Sequence, residues 1–209
     1  MDYISFVSEA VCENATQSIS ILAREKMNKI QKTSLFFRVL FQILSVALPV
    51  LLIMAWVQSA GTFEMVEGMI NLNYVPAAYS GSILHPLNLS EKLLALGVGC
   101  LPLFVQLYIL FSLVRLFKLY ERGVIFSMDN VRYIRNIGYA LIATQIANAL
   151  YQALMGFILT WRNPPGHRFS SITLDQTNIG VILVALMVIL ISWIMLEGCK
   201  IREEQQLTV

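Results

Sequence analysis

Residues 179–196 read IGVILVALMVILISWIML, a run in which no side chain is charged. The hydrocarbon core of a bilayer is about 30 Å thick, and an α-helix needs roughly 20 mostly apolar residues to cross it. Lipid offers no hydrogen-bonding partner to backbone N–H and C=O groups, so such a segment must form a helix that pairs these groups internally. The run therefore predicts a membrane-spanning α-helix.

Three earlier segments have the same character and a similar length: residues 35–57, 93–114 and 137–159. Only the first contains a charged residue, Arg38, which lies close enough to the end of the segment to extend its charge to the membrane surface. Charged residues make up 13% of the chain and hydrophobic residues 57%, whereas soluble domains average about 25% charged residues. The sequence predicts an all-α membrane protein, a bundle of four transmembrane helices.

The basic residues are distributed unevenly between the two sides of these spans. Most of them lie before or at the start of the first span, between the second and third, or after the fourth. The positive-inside rule places segments of this kind in the cytoplasm. We therefore expect a multi-pass protein of the plasma (inner) membrane with both termini in the cytoplasm.

Residues 1–34 are predicted to form a cytoplasmic segment ahead of a four-span domain, residues 35–209. Ile4, Val7 and Val11 begin an apolar stripe at helical spacing, so the segment is interpreted as an amphipathic helix. Such a helix either lies in the membrane plane or binds a partner. The alternative is that it packs on the cytoplasmic ends of its own bundle.

The loop between the first two spans, residues 58–92, is the largest extracytoplasmic feature. Loops of this length are often functional or disordered, so it is a candidate sensing element. The second outer loop contains a Pro-Pro-Gly turn at residues 164–166 and is interpreted as a connector. Four apolar residues of the first loop are spaced as in a short interfacial helix: Phe63, Val66, Met69 and Ile70.

The segment between the second and third spans is predicted to form a cytoplasmic helical hairpin. Gly123 suits a helix-ending position with positive φ, and Ser127 suits the N-cap of the next helix. The second helix should therefore end near Arg122 and the third should begin near Met128. Gly123, Ser127 and Asn130 are the predicted structural residues of the hairpin.

Five basic residues on this hairpin repel one another unless an anionic group is near. Three neutralising groups are candidates: anionic lipid head groups, at about 1 kcal/mol per basic residue near the surface, the acidic tail with Glu203 and Glu204, and a cytoplasmic protein. The alternative is a purely topological role, in which the charges only orient the chain. The five residues are Arg115, Lys118, Arg122, Arg132 and Arg135.

Two motifs in this part of the chain resemble a known family. YERGVIFSMDN at residues 120–130 is followed by Arg135 and Gly138, and the chain ends with Glu197 and then IREEQQLTV at residues 201–209. Both motifs resemble the DUF2975 family of small bacterial membrane proteins, and the resemblance covers residues 35–209. It implies four spans and no assigned activity. Because genes of the family often lie beside a small helix-turn-helix regulator, it also implies a membrane partner for a transcription factor.

Polar amides within the spans form a second candidate site. Gln145, Asn148 and Gln152 are spaced i, i+3 and i+7, so they share one face of the third span, and Gln106 lies in the second span. Amides in lipid hydrogen-bond between helices, at about 0.6 kcal/mol each, or line a polar cavity or a pathway for a small solute.

No acidic, Lys or His side chain lies deep in any span, and the sequence contains no catalytic, phosphate-binding or metal-binding motif. The chain is therefore predicted not to be an enzyme and to need no cofactor or metal. A net charge of +2 gives no reason to expect direct binding of nucleic acid.

We interpret the chain from its sequence as a non-enzymatic membrane partner or sensor that acts on a cytoplasmic regulator, itself a candidate DNA-binding protein. The alternative is a small-solute channel or transporter. Lipids with anionic head groups and a second copy of the chain are the remaining candidate partners.

Overall fold

The computed structural model describes the backbone of residues 2–59, 62–65, 70–76, 79, 87–124, 126–164, 166–168 and 170–207. It describes the side chains of residues 29–57, 74–76, 79, 87–124, 126–164, 166–168 and 170–205. In chain order the elements are α1 (Asp2–Ser59), β1 (Thr62–Met65), β2 (Ile70–Asn73), α2 (Leu89–Glu121), α3 (Met128–Thr160) and α4 (Gln176–Leu207).

Four parts of these helices are long and apolar enough to cross a membrane. They are Lys29–Val57, Leu89–Glu121, Met128–Thr160 and Gln176–Gln205. Their outer surfaces carry large apolar side chains that no protein contact covers, among them Ile43, Phe104, Ile146 and Met187. Lipid is the solvent that such surfaces require. These observations support the prediction of a multi-pass membrane protein.

The first span belongs to a much longer helix. α1 has 58 residues, which corresponds to roughly 87 Å at 1.5 Å per residue, and its backbone passes residue 34 without a break. The predicted segment 1–34 is therefore helical from residue 2 onward and continuous with the span. The predicted apolar stripe lies on side chains outside the described residues.

The loop after α1 contains a short β-hairpin. β1 and β2 pair antiparallel, with Thr62 opposite Asn73 and Met65 opposite Ile70. The prediction of a short interfacial helix at Phe63 and Ile70 is wrong, because both residues lie on strands. The sequences TFEM and INLN alternate polar and apolar residues, and this period of two is the strand pattern. The spacing of the apolar residues alone had favoured a helix.

Each helix packs on its neighbour in the chain, α1 on α2, α2 on α3 and α3 on α4. We call the end that carries the 122–127 turn the hairpin end, and the end that carries the two longer connections, residues 60–88 and 161–175, the loop end. Small residues allow the helices to approach closely. Those that are buried in the described helices include Ala95, Gly99, Gly138, Ala140, Gly156 and Ala185.

The main apolar core lies at the loop end. Trp56 of α1, Met155 and Leu159 of α3 and Tyr79 of the first connection are its largest buried side chains. Tyr79 occupies space that only Gly156 leaves open, because a Cβ atom at residue 156 would overlap the Tyr79 hydroxyl. A side chain from the connection therefore belongs to the core of the helices.

The second connection is held along α3 rather than left as a simple linker. The Tyr79 hydroxyl donates to the carbonyl of Ser171 at 2.9 Å and accepts from its N–H at 2.6 Å. The N–H of Thr173 donates to the Gln152 side chain at 2.8 Å, and the Ser170 hydroxyl donates to the carbonyl of Ala153 at 2.9 Å. These bonds tie residues 170–173 to both the first connection and α3.

Candidate functional site

The turn at the hairpin end is closed by hydrogen bonds that its sequence specifies. Gly123 has φ +76° and donates its N–H to the carbonyl of Tyr120 at 3.0 Å, while Val124 donates to Leu119 at 3.1 Å. These two bonds form a Schellman motif, in which a residue in the left-handed region satisfies the last helical carbonyls. Arg122 is the C-cap of α2. The prediction that this helix ends near Arg122 is confirmed.

The start of α3 completes the turn. Ser127 is the N-cap, and its hydroxyl accepts the N–H of Asn130 at 3.3 Å. The Asn130 side chain is fully buried and donates to the carbonyl of Val124 at 2.8 Å. α3 begins at Met128 as predicted. The turn is therefore held by a cap on each side and by one buried amide between them.

The five hairpin cations make no ion pair with an acidic side chain in the part of the chain that the structure describes. Arg115 lies over the ring of Phe111, with 4.3 Å from its guanidinium carbon to the ring centroid. Lys118, Arg122 and Arg132 are exposed, and Arg135 is half-buried. The side chains thus form a basic surface around the turn.

Apolar side chains are exposed at the tip of this basic surface. We call Val124, Phe126 and Met128 the hairpin tip; their exposed fractions are 40%, 62% and 39%. Beside the tip lies a groove of about 400 Å³, and the end of α4 forms its other wall. Its lining residues are Phe126, Ser127, Met128, Cys199, Arg202 and Glu203.

The described ion pairs do not join the acidic tail to the hairpin cations. Glu197 pairs with Lys200 of its own helix at 3.4 Å. Glu203 lines the groove beside the tip, and Glu204 is exposed. Of the three candidate neutralising groups, the chain's own tail is therefore the one that the described ion pairs do not support.

An ion pair that the sequence did not indicate joins α1 to α2 near the same end. Arg38 binds the carboxylate of Glu121, and both side chains are partly buried. Next to it Phe117 stacks on Phe37 with ring centroids 5.3 Å apart and contacts Phe41 at 5.6 Å. The first helix is therefore attached to the base of the hairpin by one charge pair and one aromatic cluster.

Three of the four predicted intramembrane amides line the same cavity, and the fourth does not. Gln106, Asn148 and Gln152 line one cavity of about 290 Å³, which we call the loop-end cavity. Gln145 is not among its lining residues, because it lies two turns nearer to the hairpin end than Gln152, about 10 Å along α3. The cavity is also lined by residues that sequence reasoning missed: Tyr74, Val75 and Pro76 of the first connection, Tyr151, and Asn178 of α4.

Among the described residues of the first connection, Tyr74 is the one with a polar side chain that lines this cavity. Its carbonyl accepts the hydroxyl of Tyr151. Burial raises the pKa of the Tyr74 phenol above its ordinary value, so this group stays protonated at neutral pH and can donate a hydrogen bond. An aromatic residue two positions before a proline, in Tyr74-Val75-Pro76, is a weak sequence signal for this contact.

The described residues contain no group of three or more His, Cys, Asp or Glu side chains that could hold a metal ion. Cys100 and Cys199 are free thiols.

Comparison with known proteins assigns the family. A family model described as "Protein of unknown function (DUF2975)" matches residues 64–209, which is more than half of the chain. The matched range contains both motifs on which the resemblance rests and three of the four spans, and it leaves α1 outside. No curated protein and no solved structure matches the chain. The chain belongs to the DUF2975 family.

Proposed function

We propose that this protein is a non-enzymatic membrane partner that docks a cytoplasmic regulator protein at its hairpin end. The observation that carries the proposal is the combination of five cations without an acidic partner in the described chain and an exposed apolar tip between them. A surface of this composition suits a partner that presents acidic side chains around an apolar patch.

The position of the charges favours a protein partner in addition to lipid. Arg115 and Lys118 lie one to two turns inside the end of α2, where anionic head groups can neutralise them. Arg122 and Arg132 flank the turn itself, next to Phe126. An exposed ring of this size at the far end of a basic turn is a typical anchor for a protein partner.

The proposal includes an orientation and a class of partner. The hairpin and both termini lie on the cytoplasmic side of the plasma (inner) membrane of a bacterium, as the distribution of Lys and Arg favours. The partner is a regulator, and the family resemblance favours one that binds DNA. The caps on both sides of the turn support this role, because a turn that is held in place before binding loses less entropy on binding.

The test begins with site-specific cross-linking in cells of the source organism. A photo-reactive residue replaces Phe126 in the full-length chain, and the captured protein is identified by mass spectrometry. The same residue placed at Trp161, at the loop end, is the matched control. We expect one protein to be captured from residue 126 and not from residue 161.

The captured protein is then purified, and its affinity for the full chain in nanodiscs is measured. Arg122→Glu should weaken binding at least about tenfold, whereas Lys92→Glu, an equal charge change at the loop end, should leave it unchanged. Equal affinities for the two variants, or no capture at residue 126, would contradict the proposal.

A small-solute channel or transporter is the second candidate, because three amides line the loop-end cavity. Close packing nearer the hairpin end argues for a closed site rather than a pathway. A Cβ atom at Gly138 would lie 2.6 Å from Cγ1 of Ile189, and Ser112 and Leu116 are buried in the same half. Flux of a neutral solute into liposomes that contain the purified protein would support a channel, and its absence would remove this candidate.

A further inference from the structure

The loop-end cavity is assembled from all four helices and from the first connection. Leu48 and Leu52 come from α1, Gly99 and Leu103 from α2, and Asn178 from α4. Its volume of about 290 Å³ is roughly twice that of an engineered cavity that holds benzene and close to the lower limit of natural ligand pockets. The space therefore suits a small molecule rather than a lipid tail or a peptide.

Two amides face this space without a hydrogen-bonding partner among the described residues. The side chains of Gln106 on α2 and Asn148 on α3 make no hydrogen bond to any described group. The third amide, Gln152, is already engaged with the backbone of Thr173. An amide within a membrane span is costly unless it is paired. Gln106 is exposed and Asn148 is half-buried, and together they offer two NH2 donor groups and two carbonyl acceptors to a molecule in the cavity.

The other lining residues define what these amides could bind. None of the described residues that line the cavity is charged, so an ionic ligand would lose its hydration without compensation. Leu48, Leu52, Val75 and Leu103 offer apolar contact to the body of a ligand. The complementary molecule is neutral, has an apolar body and carries a group that both donates and accepts hydrogen bonds.

We infer that the loop-end cavity is a binding site for a small neutral molecule of this kind, recognised by Gln106 and Asn148. This site lies at the opposite end of the helices from the hairpin tip and does not depend on the proposed regulator. The first connection lines part of the cavity and is tied to α3 through the bond from the Tyr151 hydroxyl to the carbonyl of Tyr74.

Trp56 provides a reporter beside the cavity. It is buried, and a Cβ atom at Gly99, a lining residue, would lie 3.9 Å from its Nε1. The experiment uses the full chain in nanodiscs with Trp161→Phe and Trp193→Phe, so that Trp56 is the only tryptophan. Its fluorescence is titrated with benzamide, with benzoate of the same size but charged, and with toluene, which cannot hydrogen-bond.

We expect a saturable change with benzamide, none with benzoate, and only a non-saturating change with toluene as it partitions into lipid. Gln106→Met/Asn148→Leu should weaken the benzamide response at least about tenfold, because the polar partners are lost while the volume is nearly kept. Gln145→Leu is the matched control. Gln145 is an amide on the same helix as Asn148 but does not line the cavity, so this substitution should leave the benzamide response unchanged.

A further variant covers the case in which the double variant Gln106→Met/Asn148→Leu loses benzamide binding only because it is misfolded. Leu103→Phe keeps both amides and adds no second tryptophan, but it places a larger side chain in the cavity, and it should also weaken the benzamide response, while circular dichroism verifies that each variant remains helical. No saturable response of the starting chain to benzamide, or equal affinities in the double variant and the Gln145→Leu control, would overturn the inference.

Discussion

The guanidinium of Arg38 on α1 forms an ion pair with the carboxylate of Glu121, the last residue of α2. An acidic side chain at a helix C-terminus is unfavourable, because the helix dipole is negative there. Arg38, in turn, lies in an apolar segment, and its exposed fraction is 26%, against 31% for Glu121. The ion pair therefore offsets both the unfavourable helix-dipole interaction of Glu121 and the burial of the Arg38 charge. It also holds α1 against the base of the hairpin.

Removal of either charge should destabilise the protein measurably. We expect Glu121→Gln to lower the free energy of unfolding by about 1–3 kcal/mol, between the values for exposed and for buried pairs. The exchange Arg38→Glu/Glu121→Arg should recover most of this loss. Unfolding in mixed detergent micelles provides the measurement. Lys200→Ala breaks an exposed pair and should cost less than about 0.5 kcal/mol; an equal loss would contradict a special role for the Arg38 pair.

Gly156→Ala should loosen the loop end. Alanine normally stabilises a helix interior by about 1 kcal/mol relative to glycine, but at residue 156 the added methyl group would overlap the Tyr79 hydroxyl. We expect a net loss of about 1–3 kcal/mol and faster proteolysis within residues 161–175. Gly97→Ala, on a helix position with open space, should be neutral or stabilising. An equal loss of stability in the two variants would contradict the overlap between residue 156 and Tyr79 as the cause.

The contact between α3 and α4 should depend on Gly138. A Cβ atom there would lie 2.6 Å from Ile189 Cγ1 and 3.3 Å from the carbonyl oxygen of Ala185. Gly138→Ala should therefore lower the thermal unfolding midpoint, while Gly180→Ala, at an open position of α4, should not. Because Ile189→Ala removes the nearest atom, the double variant Gly138→Ala/Ile189→Ala should lose less stability than the sum of the single substitutions. If the stability losses of the two single substitutions simply add in the double variant, the contact between residues 138 and 189 is not the source of the strain.

The hairpin turn should be sensitive to both of its caps. Gly123→Ala forces a Cβ atom into φ +76°, at a cost of about 1–2 kcal/mol, and Ser127→Ala removes the N-cap acceptor, at about 1 kcal/mol. Gly123→Asn should cost less, since asparagine tolerates the left-handed region. Hydrogen exchange of the amides of residues 119–124 and 128–131 reports these changes. Equal effects of alanine and asparagine would indicate that φ is not the cause.

The orientation can be read with reporter fusions to the full-length or truncated chain. Green fluorescent protein fused after residue 209 should fluoresce, because it folds in the cytoplasm. Alkaline phosphatase fused after residue 166 should be active, because it requires the opposite side. The reverse pattern would place the hairpin cations outside and remove the proposed cytoplasmic partner.

Several features could be predicted because local chemistry decides them. Four apolar runs define four helices wherever lipid is the solvent. Gly123 and Ser127 define a turn, because each meets a backbone requirement of its own position. In the first connection, the apolar residues fit a helical spacing as well as the alternation in TFEM and INLN, so local pattern alone does not decide between a helix and the β-hairpin that forms there.

The position of the candidate cavity could not be predicted in full from spacing. Gln145, Asn148 and Gln152 share a face by helical period, but which part of that face meets a cavity depends on the depth at which neighbouring helices and the first connection pack. Tyr74 and Asn178 complete the lining from distant parts of the chain. Such contacts depend on complementary shape across the helices rather than on the pattern of one segment.

The sequence by itself determined that the helices require a lipid environment, how many spans there are, and that a capped turn joins α2 to α3. Each of these follows from the polarity or backbone preference of neighbouring residues. Only the tertiary structure decided that Arg38 pairs with Glu121, that Gly156 accommodates Tyr79, and that Gln106 and Asn148 face one cavity. These relationships join residues far apart in the chain, and they arise from close packing, for which a hydrophobic pattern supplies the surfaces but not their partners.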